Sequence, residues 1–235
     1  MDTQFKEHAL RILKGHWKEA ILVTLIASIL GGAVSGTSFD ITFGIDSEEL
    51  QKLPSFITDL LIPYLIIVSP IATILGLAQF ILGGMIQLGH CKYLLKLHDG
   101  MDARLEDLFS ESDRFLNGFL LHLLISLFVT LWAILLVIPG IIAAIRYSQA
   151  FFLLCENPQM TPMEAINRSK EIMDGHKMEY FLLDLSFIGW IFLGALTLGI
   201  GYLWLSPYMS MAHACFYRNL CPQSLPIVDA EVIEA

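Results

Sequence analysis

The chain has 235 residues, of which 55% are hydrophobic and 16% charged, and its formal net charge is −9. This composition excludes an ordinary soluble domain, and the acidic balance leaves no basic stripe for nucleic acid. Its four cysteines, Cys91, Cys155, Cys215 and Cys221, form no CxxC pair and imply no disulfide framework.

An amphipathic segment opens the chain, with Phe5, Ala9, Ile12 and Leu13 at helical spacing. It leads through Gly15-His16-Trp17 into Ala20–Phe39, a run without Asp, Glu, Lys or Arg. Basic residues ahead of an apolar run, with Ala33-Val34-Ser35 inside it, imitate a signal peptide. The long, patterned lead instead marks an uncleaved anchor. On this span Ser28, Gly32 and Gly36 recur at every fourth position. Such a ridge of small side chains lets a second helix come close. Residues 38–58 follow as an acidic outer loop, carrying Asp40, Asp46, Glu48 and Glu49 against Lys52. Their spacing matches no Ca²⁺ loop signature.

Leu60–Cys91, Phe115–Ile145 and Leu185–Tyr217 are also free of charged residues. A bilayer core roughly 30 Å thick needs about 20 helical residues, so each run exceeds one span. Two of them carry breakers, Pro139-Gly140 and Gly199-Ile200-Gly201. Proline interrupts the helical ladder and glycine permits a tight reversal. Both sites are therefore expected to be hairpin turns. The spans then fall near 18–37, 60–90, 115–138, 141–156, 179–198 and 202–218.

Charge bias favours that division. It puts Lys6, Arg11, Lys14, Lys18, Lys92, Lys96, Arg104, Arg114, Arg168, Lys170, Lys177 and Arg218 on one side, with Lys52 opposite and Arg146 within the fourth span. Were the breakers mere kinks, Arg168, Lys170 and Lys177 would change sides. The expectation is an all-α polytopic protein of the plasma (inner) membrane. It has six transmembrane helices as three hairpin units, cytoplasmic amphipathic interfacial helices, and both termini cytoplasmic. Residues 1–220 form one membrane domain and 221–235 a short acidic tail.

The three units come from an internal repeat. Leu13-Lys14-Gly15-His16-Trp17-Lys18-Glu19 resembles Met173-Asp174-Gly175-His176-Lys177-Met178-Glu179. The second copy opens on Thr161-Pro162-Met163-Glu164, a capping box with proline in the first turn. Met163, Ile166 and Met173 give it an apolar side. A weaker middle copy runs from Asp102 through Leu105, Leu108 and Phe109 to Asn117-Gly118. The spacing from Gly140 to Tyr147 equals that from Gly201 to Tyr208. Helices of this amphipathic kind lie in the headgroup layer.

These same residues carry a family resemblance. Gly15-His16-Trp17, Pro139-Gly140-Ile141 with Arg146-Tyr147-Ser148, and Ala165 through Arg168-Ser169-Lys170 to Gly175-His176 contribute. So do Leu185-Ser186-Phe187-Ile188-Gly189-Trp190, Gly199-Ile200-Gly201, Pro207-Tyr208 and Phe216-Tyr217. The chain resembles, over nearly its whole length, the bacterial integral membrane proteins grouped as domain of unknown function 975. More distantly it is similar to the membrane domain fused to some glycerophosphodiesterases. The resemblance implies a plasma-membrane location and a six-helix body. It brings no catalytic residues, and the phosphodiesterase chemistry is not carried over.

Ionisable groups inside a membrane are costly and are the first candidates for function. Arg146 lies some six residues past the expected outer turn, about 9 Å into the span at helical rise. It could bind a lipid phosphate or an anion; the plainer reading is snorkelling, or bonding to carbonyls freed by Pro139. Asp184, His122 and His213 are expected at similar depth near the cytoplasmic face, where a hydrogen-bonded Asp–His group could relay protons. The plainer reading is polar glue between helices. Arg146 and Asp184 are expected near opposite faces. Cys91, Cys155 and Cys215, with His90 and His213 nearby, read as small packing residues, and neither metal nor cofactor is expected. Trp17, Trp132, Trp190, Trp204 and the tyrosines are too widely spread for a cofactor box; some suit interfacial belts, and Trp190 a packed position.

HExxH, GxSxG, GxGxxG and Walker patterns are absent. The expected function is non-enzymatic: a membrane-organising, assembly or regulatory role through helix and lipid contacts. The alternative is a small transporter or lipid-translocating carrier. Expected partners are the lipid bilayer, other membrane proteins or a second copy of the chain, and no nucleic acid.

Overall fold

The computed structural model describes the backbone of residues 2–31, 55–197 and 199–222, and the side chains of 4–31, 74–197 and 199–222. Every described element is helical. In chain order they are α1 (Asp2–Leu13), α2 (Trp17–Gly31), α3 (Ser55–His98), two 3₁₀ turns (Leu105–Phe109 and Ser112–Arg114), α4 (Phe115–Leu135), α5 (Val137–Tyr147), α6 (Ala150–Glu156), α7 (Pro162–Ile172), α8 (Lys177–Leu185), α9 (Ile188–Leu196) and α10 (Tyr202–Leu220).

Four helical stretches, rather than the expected six, are long and apolar enough to cross a bilayer among the described residues: Ile74–His98, Leu105–Leu135, Val137–Glu156 and Lys177–Leu196. The other two fall short for different reasons. α2 is 15 residues long where the description stops. α10 has the length but carries Ser206, Pro207, Ser210, His213, Arg218 and Asn219. It tolerates them because Leu205, Met209–Ala212 and Ala214–Arg218 are buried by its neighbours. The outer surface is apolar instead: Leu131, Ile134, Leu135, Val137, Ile138 and Leu196 are all more than 60% exposed.

The helices break near both expected breakers, but at one of them the break is displaced. α4 ends at Leu136, whose extended backbone (φ −160°, ψ 139°) turns the chain in a single residue. Pro139 therefore sits inside the first turn of α5, where its missing N–H leaves no bond unmade. Gly140 supplies the close approach rather than the turn: a Cβ there would stand 2.8 Å from Ala133 Cα on the facing arm. At the second reversal Gly199 takes φ +89°. The Gly201 N–H donates to Thr197 Oγ1 (2.9 Å), and a Cβ on Gly201 would stand 2.8 Å from Gly194 Cα. The two return arms thus meet their partners seven residues back, through glycine in each case.

The Gly-His repeat is one local structure used twice. Gly15 (φ 107°) and Gly175 (φ 85°) both leave the right-handed region. The N–H of His16 donates to Leu13 and that of His176 to Met173 (2.9 and 3.2 Å). Each histidine lies beside the glutamate three residues on, Glu19 or Glu179. Leu13 and Met173 are both fully buried. The capping box of α7 forms as expected: the Thr161 N–H donates to Glu164 Oε2 (2.8 Å) and Thr161 Oγ1 accepts from the Glu164 N–H (3.3 Å). The middle copy departs from the pattern. Leu105–Phe109 winds as a 3₁₀ turn and Gly118 lies within α4.

Close helix crossings use glycines on α3. A Cβ on Gly83 would stand 2.8 Å from the Gly31 carbonyl oxygen, and one on Gly84 or Gly89 would overlap the carbonyls of Gly118 and Leu108. The face of α2 that packs is Ala20, Val23, Thr24 and Ala27. Ser28 turns its hydroxyl back to the Thr24 carbonyl (2.8 Å), while Gly32 and Gly36 lie outside the described residues, as does most of the acidic loop.

Candidate functional site

Two interruptions shape the site. α5 and α6 are separated at Ser148-Gln149, and α8 and α9 at Ser186-Phe187. Between these broken helices, α3, α4 and α10 lies a cavity of about 500 Å³. Its polar lining comprises Gln87 and His90 of α3, His122 and Ser126 of α4, Ser148, Tyr180 and Asp184 of α8, and Ser210 and His213 of α10. Ile125, Val129, Phe151, Ile188 and Met209 are among the apolar residues around them.

Three of the four candidate polar residues therefore share one space. His213 donates from Nε2 to Asp184 Oδ1 at 2.7 Å. Its ring stacks on Tyr180, with centroids 5.1 Å apart. His213 lies five residues before Arg218 on the same helix. His122 joins the cavity wall but packs against Phe80 (5.1 Å) and Phe151 (6.4 Å). His90 is 1% exposed, and its Nε2 lies 3.3 Å from Thr24 Oγ1. The sequence signal for His90 was only its place in an apolar run; its lining role depends on which helices meet α3.

Arg146 is elsewhere. Its flanking residues Ile145 and Tyr147 line the cavity and it does not. Its carbonyl accepts from Ser169 Oγ (2.7 Å) on α7, and Nε is buried with no hydrogen-bond partner. Lys170, also on α7, lies over the Tyr147 ring. Arg146 thus belongs to the side where α7 packs against α5 and α6, apart from the cavity. Trp190 is corrected: it is 55% exposed, not packed.

A second polar layer closes one end of the bundle. Arg218 of α10 binds Asp99 through Nη2 (2.5 Å) and Nε (3.0 Å) and pairs with Glu156 through Nη1. The Tyr217 hydroxyl donates to Glu156 (2.5 Å). Lys92 and Arg114 hold Glu111 (2.7 and 3.0 Å), and Lys96 holds Asp107 (2.5 Å). Arg114 also donates to the Leu154 carbonyl (2.6 Å). Four cations of the expected inner set thus meet in one layer.

The cysteines do not gather around His90 and His213. Cys91 lines the cavity. Cys215 instead meets His8 of α1 and His98 at the end of α3, their donor atoms lying within 4.8 Å of one another. Burial lowers the His8 pKa below its ordinary 6.5, and the nearby His98 and Arg11 add to this. On the surface, Lys177 beside Asp174 holds that carboxyl below its usual range, and the backbone bond from Thr161 does the same for Glu164.

A family model described as a protein of unknown function (DUF975) matches residues 1–139 and 133–224. No curated protein and no solved structure matches the chain.

Proposed function

The chain belongs to the DUF975 family of proteins of unknown function, and from that premise we propose that it is a six-pass plasma-membrane carrier whose transport path runs through the Asp184–His213 cavity. Six passes are supported by how the helices pair. α2 meets α3 at Gly31 and Gly83, α4 meets α3 at Gly118 and Gly84, and the turns at Leu136 and Gly199 return α5 and α10 on their partners. Asp99, Glu156 and Arg218, which end three of these passes, share one polar layer. By the bias in Lys and Arg that layer is cytoplasmic, and both termini with it.

The observation that carries the carrier reading is the cavity itself. A carboxylate–imidazole pair at 2.7 Å stands in a largely apolar chamber of about 500 Å³. That is the size and character of a small-ligand site. Broken helices beside a polar site are a recurring way for carriers to present backbone groups to cargo. The apolar majority of the lining suits an amphipathic solute or lipid, and His213 can exchange a proton as the cargo moves.

Reconstitution tests this. Proteoliposomes with an entrapped pH-sensitive dye and a fluorescent phospholipid should show proton flux or lipid redistribution. Asp184→Asn and His213→Asn should each slow it at least tenfold, whereas Arg146→Ala leaves it within about twofold. A wild-type protein that moves neither protons nor lipid refutes the carrier. The membrane-organising role would then stand in its place, and a stoichiometric partner in native-membrane pulldowns would support it.

A further inference from the structure

We infer that His8, His98 and Cys215 form a binding site for a borderline-soft divalent cation, of which Zn²⁺ is the representative, and that the metal fastens α1 to the bundle. The three donors come from α1, the end of α3 and α10, yet lie within 4.8 Å of one another. Tetrahedral zinc binds sulfur at about 2.3 Å and nitrogen at about 2.0–2.1 Å, which places donor atoms roughly 3.5 Å apart. Closing the present cluster therefore needs shifts of about 1 Å. His8 is on an exposed part of a short amphipathic helix, which can supply them.

Two observations beyond proximity support ligation. His98 Nδ1 donates to Asp99 Oδ1 at 3.0 Å, which orients the ring and leaves Nε2 free. Asp99 is itself fixed by Arg218. A ligand histidine backed by an anchored carboxylate is the usual outer support of a metal site. The donor set also has a chemistry of its own. One thiolate and two imidazoles match zinc and exclude the oxygen-seeking ions Mg²⁺ and Ca²⁺. Three protein ligands leave a fourth position for water. On binding, the Cys215 S–H bond breaks, its proton passes to solvent, and the resulting thiolate bonds the metal.

The site does not depend on the cavity. α1 packs on α10 through Phe5 and Phe216 (5.4 Å) and reaches Ser186 through Lys6 (2.8 Å). A metal at its middle adds a bond-strength tie to that contact.

The test is a Co²⁺ titration of the reduced full-length protein in detergent. One equivalent should produce a thiolate-to-cobalt charge-transfer band with tetrahedral d–d bands, reversed by Zn²⁺. Cys215→Ser should remove the charge-transfer band. His8→Ala and Asp99→Asn should each weaken binding about 10- to 100-fold. His8 is exposed, so its substitution spares the fold if Cys215→Ser does not. Zn²⁺ should also slow proteolysis within α1 in the wild type and not in His8→Ala. A missing charge-transfer band, one that follows Cys91, Cys155 or Cys221 instead, or affinity unchanged in His8→Ala overturns the site.

Discussion

Gly84 and Gly118 leave no space between α3 and α4: a Cβ on Gly118 would stand 2.8 Å from the Gly84 oxygen, and one on Gly84 would overlap the Gly118 carbonyl. The atoms in the way are backbone, so they cannot rotate aside. Gly84→Ala should destabilise the fold by about 1–3 kcal/mol, as overpacking does, measured by unfolding in detergent. Gly76→Ala, which meets nothing within 4 Å, is the control and should be neutral. Small residues in an apolar run were legible as contact points, but their partners were not. The ridge of Ser28, Gly32 and Gly36 was read from spacing on α2 alone. Gly32 and Gly36 lie outside the described residues, and among the described ones the close approach of α2 to α3 is at Gly31 and Gly83. The Asp184–His213 pair was legible because ionisable groups set in apolar helices need partners. Cys215 with His8 was not, because an amphipathic helix drawn flat on a membrane surface gives no sign of which helix it will touch.

At the scale of elements, α1 and α7 are attached by the same glycine turn. Glycine permits the positive φ that other residues adopt only at a cost of about 1–2 kcal/mol. Gly15→Ala and Gly175→Ala should therefore loosen α1 and α7 respectively, without disturbing the other, as read by hydrogen exchange over each helix. α7 has a second dependence. The folded pKa of Glu164 lies below its ordinary 4.5. Its cap is therefore fully present above that value and is lost as pH falls through the lowered one. Exchange over Pro162–Ile172 should rise under acid in the wild type and already be raised at neutral pH in Thr161→Ala. The repeat that predicted these turns was legible because Gly-His and a buried residue two positions earlier are all the turn requires. Its middle copy was misread since Leu105–Phe109, pinned by Lys96 on Asp107, winds too tightly to continue as an α-helix.

Across the whole molecule, the proposed arrangement of passes makes one demand on topology. With its native cysteines replaced, single cysteines near residues 165–175 should resist an impermeant maleimide added to intact cells, and one at Ile200 should react. The reverse result refutes the cytoplasmic layer. The all-helical fold and four of the spans were legible because a bilayer demands long apolar helices. α10 was less so. Enclosed by neighbours over much of its length, it follows the rules of a protein core and admits Ser210 and His213 within the helix.

Arg218 lies near the end of the described chain, yet it neutralises Asp99 and Glu156, residues made long before it. While the ribosome is still extending α10, two carboxylates at the helix ends lack their counter-ion and the earlier passes surround an unfilled centre. Synthesis therefore imposes an order: Asp99 and Glu156 gain this counter-ion only once α10 has been made. A nascent polypeptide stalled before this point would hold its earlier helices in the membrane without the keystone that makes them one body.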